Sequence, residues 1–590
     1  MFAPQDISLL SGTDRLAEER RFNAIRSLWD QVVRQALFRR TDADSEQDVD
    51  EYGFDVARVA RDLDRSEEVV RSAALQIADA LRDWISEPLQ ARRSAYLDMV
   101  KASLFTLATP AEHVGAADQR ELLHFLVGVT TVVMQFLSLV TVQQSMVAEG
   151  VHEQPFFQQG VSEDLARTVP EALIGRLSGV RFRVEEDGGR NKIRLQYVAF
   201  RGAPRVLLYR LHELLRHEGR PRGPNLLLAS ATSFLEESPT FHIPSGPHLV
   251  LRRREALGGW RDSRYVFAPI PDPAKPSRML RFSGAPLHQR ESILRKMIAH
   301  YFLGEDPLVL QMVGDFDAGR RVGFVVNSYD QVRLVKEHLR RIRPDMADRV
   351  VGVTDRPPSG HAGDWVTASQ VEKLGERDDW DALVFPMKSL ARGVNIVFAE
   401  GPRARDAMLG TLVFLIRPHP AAESLDLVAG IAGAESLRFD QRVFFHGAGP
   451  GALQAAWRES RRELAAVTRR LLRFPIQASR LGVLAKPFTA DIMVDVLQTI
   501  GRAMRNGCKA RVIFADAAWA PLSALEGRAP DTASSSMLVA MRDILQARVS
   551  SEDPIEREIY TALYQPFLTP LEQCDGVRFS EFSGAGWDDD

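Results

Sequence analysis

Cysteine is nearly absent: the 590 residues contain two, Cys508 and Cys574. Two thiols can build neither a four-cysteine zinc site nor a four-cysteine iron–sulfur cluster. Their rarity fits a reducing cytosol. An excess of one charge is also lacking, since 75 basic residues face 78 acidic ones for a net charge of -3. Polyanion binding would therefore have to come from a local groove. The opening "MFAPQDISLLSG" has no basic segment followed by an apolar one. No signal peptide is expected, and the chain reads as cytoplasmic. Long uncharged runs are missing except one, "LLHFLVGVTTVVMQFLSLVTVQQSMV" at 122 to 147. It is long enough to span a bilayer. His124, Gln135, Gln143 and Gln144 interrupt it, so a buried helix is the better expectation, with no membrane partner.

What is present is ordinary for a globular protein, at 45% hydrophobic and 26% charged residues. The length exceeds what one core sustains, so several domains or subdomains are expected. Two textures divide the chain. Residues 1 to about 175 carry apolar positions at helical spacing, as in "SEEVVRSAALQIADALRDWI". The acidic stretch with Asp50 and Glu51 reads as a solvated loop. Beyond it the texture becomes α/β. "VRFRVEEDGGRNKIRLQYV" predicts a hairpin turning at Asp-Gly-Gly. "NLLLAS", "RVGFVVNS", "DALVFPM", "GTLVFLIRP" and "ARVIFADA" predict apolar strands alternating with helices such as "YDQVRLVKEHLRRIR". That alternation argues for a parallel sheet covered on both faces. The proline-rich "FAPIPDPAKPSR" is the best linker.

Four segments carry small polar or basic residues where ligands sit in open α/β sheets, beyond the strands' carboxyl ends. They are Ser230-Ala231-Thr232, then Asn327-Ser328-Tyr329, then Lys388-Ser389 with Arg392, Gly393 and Asn395, and lastly "QTIGRAMRNG" at 498 to 507. In the last, Gln498, Arg502 and Arg505 are spaced to share one helix face, with Gly501 among them.

In this order the four segments resemble motifs III, IV, V and VI of the superfamily 2 helicases and translocases, over about residues 205 to 520. Q-x-x-G-R-x-x-R is the most specific element. The resemblance implies a RecA-like second lobe with a P-loop NTPase-like fold. Gln498, Arg502 and Arg505 would then be catalytic, as an arginine finger face toward ATP. Gly501, Gly393 and Asn395 would line the nucleotide, and Gly501 would permit close approach of the opposite lobe. Ser230, Thr232, Asn327, Ser328, Tyr329, Lys388, Ser389 and Arg392 would bind nucleic acid, DNA in preference to RNA. ATP and Mg²⁺ are the implied cofactors, with no iron–sulfur cluster.

The departures are as informative. Gly-Lys occurs nowhere, so the phosphate loop of motif I is missing. "HGAGPGA" at 446 to 452 lacks lysine, and Pro450 removes an amide donor. No acidic pair ends an apolar strand, so motif II is missing too. "ARGVN" replaces the Glu-Gly-Ile-Asp usual in the iron–sulfur helicases, whose arch domain the N-terminal helical insertion otherwise resembles. A relative among bacterial defence helicases is one expectation. The expected plan is a helical insertion at 1 to 175, a remnant of the first RecA-like lobe at 176 to 266, a linker at 267 to 300, the second lobe at 301 to 525 and a helical tail at 526 to 590. The ATP-binding half would lie upstream or on a partner polypeptide. Otherwise the chain is a non-hydrolysing nucleic-acid-binding or scaffold subunit. Arg252 to Arg254 form a basic triplet suited equally to phosphate or to an exposed strand end.

Overall fold

The computed structural model spans the chain. It describes residues 56–103 in part, 177–200 except 188–189, short pieces between 208 and 223, and residues 225–578 apart from 252–258, 318, 357–362, 391–392, 421–423, 446–448, 473–480 and 526–529. The uncharged run at 122 to 147, Asp50, Glu51, the triplet Arg252 to Arg254, and Arg392 lie outside the described residues. Among the described residues no helix is long and apolar enough to cross a membrane.

The chain divides into two compact units, Met1–Arg210 with Glu435–Phe474, and Leu211–Ala434 with Pro475–Asp590. In the first unit, α1 (Val56–Leu63) and α2 (Glu67–Ser86) are the expected helices. Val70, Ala74 and Ile77 of α2 are buried while the intervening positions are largely exposed, the stripe that helical periodicity requires. The hairpin also forms: β1 (Leu177–Asp187) pairs antiparallel with β2 (Arg190–Phe200), Asp187 opposite Arg190.

The second unit is α/β. Its strands are β3 (Arg264–Phe267), the small hairpin β4 (Pro271–Asp272) and β5 (Lys275–Met279), β6 (Arg321–Val326), β7 (Val350–Val353), β8 (Trp365–Val366), β9 (Ala382–Pro386), β10 (Leu409–Phe414) and β11 (Arg511–Phe514). Seven of them form one sheet in the order β3-β11-β10-β6-β9-β7-β8, every pair parallel. The central strands are near-continuous apolar runs because helices cover both faces. Phe324, Val326, Val384 and Val413 join one core with α3 (Leu287–Phe302), α4 (Leu308–Asp315) and α5 (Tyr329–Ile342). The chain then forms the short α6 (Met387–Leu390) and α7 (Asp426–Phe445), whose second half belongs to the first unit, as does α8 (Pro450–Leu472). α9 (Ala485–Ala503) packs on β10 and α6, and α10 (Met537–Val549) and α11 (Pro554–Glu572) form the expected helical tail, α10 packed on α9 and α11 on α10 and β3.

Three expectations need correction. "NLLLAS" is no strand: residues 225–230 make no ladder, and Leu227 is 91% exposed. An apolar run becomes a strand only beside a partner edge, and none stands there among the described residues. The expected first-lobe remnant is not a separate body either. β3 is the edge strand of the main sheet, paired with β11. The proline-rich linker is instead built in, with Ile270, Leu280 and Phe282 buried in the core around β4 and β5. Pro271 is tolerated there because a hairpin edge can lack an amide donor.

Candidate functional site

Gln498, Arg502 and Arg505 do not share one helix face. α9 ends at Ala503, and Arg505 lies beyond it in a tight 3₁₀ turn, Arg505–Gly507. Asn506 adopts a left-handed φ of 52° in that turn, and its amide donates to Asp406 at 2.6 Å. The three side chains therefore do three different things.

Arg502 is buried and turned onto the chain segment after α6. Its Nη1 donates to the Val394 carbonyl and lies 3.4 Å from Asn395 Oδ1. The Asn395 backbone N–H donates to Glu372 Oε1 at 2.7 Å. Burial pulls the Arg502 guanidinium below the usual arginine range; neighbouring Arg505 adds to this and Glu372 opposes it. Arg505 is exposed, and its guanidinium has no hydrogen bond or ion pair in the described structure. Gln498 reaches a third segment, its Nε2 donating to Thr232 Oγ1 at 2.6 Å across 266 residues of sequence. So the structure brings Thr232, Asn395, Gln498, Arg502 and Arg505 to one neighbourhood. Gly393 completes it with φ of 72°, which glycine adopts without strain. At Gly501 an added Cβ would meet nothing within 4 Å, so among the described residues no close approach uses it.

The Ser-Ala-Thr segment is held to this unit by its flanks. Asp491 of α9 accepts from Ser238 Oγ at 2.6 Å and from Thr240 Oγ1 at 2.5 Å. Tyr564 of α11 donates to the Phe234 carbonyl at 3.0 Å, and Arg548 of α10 binds Glu237 at 2.9 Å. Ser230 is exposed and accepts from Thr232 N and Ser233 Oγ, fixing the turn. Nothing in the linear sequence marks Asp491, Glu237 or Glu372 for these parts.

A second grouping stands at the carboxyl ends of β6, β9 and β10. Asn327 donates through Nδ2 to the Arg417 carbonyl at 3.3 Å, while Ser328 caps α5 by accepting from Gln331 N at 3.3 Å. Tyr329 begins α5 and is half-buried. Ser389 Oγ donates back to the Pro386 carbonyl at 2.7 Å. Lys388 is paired with Asp426 at 2.6 Å, both more than half exposed. Burial pushes the Asp426 carboxyl up, but its bond with Lys388 outweighs this and holds it below the ordinary range. The two groupings are linked through Asp426: Thr240 Oγ1, held by Asp491 of α9, also donates to the Asp426 carbonyl at 3.4 Å, and the Asp426 carboxylate pairs with Lys388.

Among the described residues no group of three or more His, Cys, Asp or Glu stands together to hold a metal ion. No known protein family matches the chain, and no curated protein matches it. The functional reading therefore rests on the motifs and their geometry.

Proposed function

We propose that this chain is the C-terminal part of an ATP-dependent nucleic-acid helicase or translocase of superfamily 2, with a RecA-like second lobe. Its ATP-binding loop and Mg²⁺-holding acidic pair are contributed from outside the chain, upstream or by a partner. The observation that carries the reading is the meeting of three sequence-distant segments: Thr232, Asn395 with Gly393, and Gln498 with Arg502 and the unengaged Arg505. Two features support an outside half. Leu226, Leu227 and Leu228 are exposed in a segment with no ladder partner among the described residues. Gly501 leaves open space where another surface could approach. ATP, when bound, supplies the phosphoryl group. In this chain Arg505 supplies a permanent cation to its terminal phosphates, and Arg502 positions the segment Gly393–Asn395 rather than reaching ligand itself.

The engagement of Arg502 with Val394 also favours a second reading, a non-hydrolysing nucleic-acid-binding or scaffold subunit. One experiment separates them. The chain is expressed alone and together with the coding region preceding its Met1 codon, and ATP turnover is measured with single-stranded DNA. The motor reading expects negligible turnover alone and nucleic-acid-stimulated turnover together. No turnover from the combination, with single-stranded DNA still bound, supports the second reading.

A further inference from the structure

Three arginines crowd one corner of the sheet's carboxyl edge without a carboxylate to pair with. Arg417 follows β10, and Arg281 and Arg290 flank the turn Phe282–Ala285. Arg417 Nη1 donates to the Ala518 carbonyl at 3.2 Å, and its Nε is buried without a partner. Arg281 Nε donates to the Ser283 carbonyl at 3.2 Å, and its Nη2 lies 3.5 Å from where a Cβ on Gly284 would stand. Arg290 Nε donates to the Ala285 carbonyl at 2.9 Å while its guanidinium lies over the Phe282 ring, 5.9 Å from the centroid. Ser283 Oγ donates to the Arg417 carbonyl at 3.1 Å, the same oxygen that Asn327 binds.

Among the described residues, the acid in this corner is already used. Asp516, fully buried, accepts four backbone amides: Phe282 and Ala518 on Oδ1 at 3.1 and 3.0 Å, Ser283 and Arg417 on Oδ2, both at 3.1 Å. Two donors on each oxygen fill the carboxylate's acceptor sites. None of the three guanidiniums forms an ion pair among the described residues. Desolvation weakens the charged form of Arg417, nearby Arg281 adds to that, and Asp516 opposes it. Three cations with one saturated carboxylate leave a local positive excess, which a bound anion would relieve.

We propose that Arg281, Arg290 and Arg417 form a phosphate-contacting station for the backbone of a single-stranded nucleic acid, continuing the track that Asn327 begins. This rests on the nucleic-acid reading above. β10 and β6 are adjacent in the sheet, and just beyond their ends Asn327 Nδ2 reaches the Arg417 carbonyl at 3.3 Å, so the two residues are neighbours. A row of donors along one edge suits a chain of phosphates better than a single free one. None of the three residues belongs to the motif positions read from the sequence.

The test is the salt dependence of binding of a ~15-nucleotide oligothymidylate to the full chain, by fluorescence anisotropy. Each lost phosphate contact should flatten the slope of log K against log salt by about 0.7. Arg281→Ala, exposed and safe for folding, is expected to do this and to weaken binding several-fold at low salt. Arg281→Ala with Arg290→Ala should flatten it by about twice as much. Arg341→Ala, at the far end of α5 by the opposite sheet edge, should change nothing. Inorganic phosphate at matched ionic strength should not displace the strand; displacement would instead mark a site for free phosphate and overturn the proposal. If the wild-type chain binds and the Arg281 and Arg290 variants bind identically, the station is wrong while the nucleic-acid reading stands. No binding by the wild type at about 50 mM salt overturns both.

Discussion

"VGFVV" in β6 and "NLLLA" at 225–229 have almost the same texture, an apolar run followed by Asn-Ser or Ser. Their fates differ. β6 lies between β10 and β9, with Phe324, Val325 and Val326 fully buried. Leu226, Leu227 and Leu228 are 41%, 91% and 45% exposed and belong to no sheet. The difference is the neighbour, not the sequence: a strand's hydrogen bonds and its faces are completed by adjacent strands. On our reading the neighbour of the second run lies outside this chain.

Mutations can sharpen that contrast, and the largest effect belongs to the buried strand. Phe324→Ala should cost about 3–5 kcal/mol in chemical denaturation, through lost burial and a cavity between β6, α3 and Tyr301. A cost near zero would mean that the sheet core is not packed as described. Next comes Arg320, which locks the amino edge of the same sheet. It is buried and donates to the carbonyls of Ala407, Leu409, Ala503 and Lys509. Arg320→Ala should cost about 3 kcal/mol, because several buried acceptors lose their donor at once. Backbone exchange should rise at the starts of β10 and β11 in that variant and stay unchanged in α10.

A smaller effect is written in pH. Burial pushes the Asp364 carboxyl up, but Lys336 and Arg340 outweigh this and hold it below the ordinary value. Its contribution to stability is therefore present above the ordinary carboxylate range and lost as pH falls through the lowered value. Asp364→Asn should lose less stability than the wild type on going from about pH 5 to about pH 2. An equal loss would show that other carboxylates dominate acid unfolding. Smallest of all is Leu227→Ala, expected within about 0.5 kcal/mol of wild type because its side chain touches little. A cost of several kcal/mol would mean the run is buried in the chain after all.

Much of the second unit was legible in the sequence. Continuous apolar runs ending in Asn-Ser, Pro-Met or Ala-Asp marked β6, β9 and β11, and "YDQVRLVKEHLRRIR" marked the α5 helix, whereas Ser328 was read as a nucleic-acid contact and is found capping that helix. The edge strand β3 was not legible, since "RYVF" is short and sits next to prolines that suggest a linker. The site was half legible. Residue types at 498, 502 and 505 suggested a shared helix face, but the helix ends at Ala503, and the left-handed Asn506 turns the chain away. Arg502 was read as a ligand group, whereas its long side chain finds the Val394 carbonyl nearer to hand. Partners such as Glu372, Asp491 and Asp516 carry no local signal, because their roles come from segments far apart in sequence.

The central claim is that Arg505 stands unengaged because its phosphate lies on a half of the motor outside this chain. The most direct measurement is steady-state ATP turnover of the reconstituted motor carrying Arg505→Lys, alongside its affinity for single-stranded DNA. Lysine keeps the charge but not the planar fork that meets two phosphate oxygens. The account predicts a fall in turnover of about 10³-fold or more with affinity changed less than about twofold. Retention of most of the turnover would contradict it and leave Arg505 as an ordinary surface arginine.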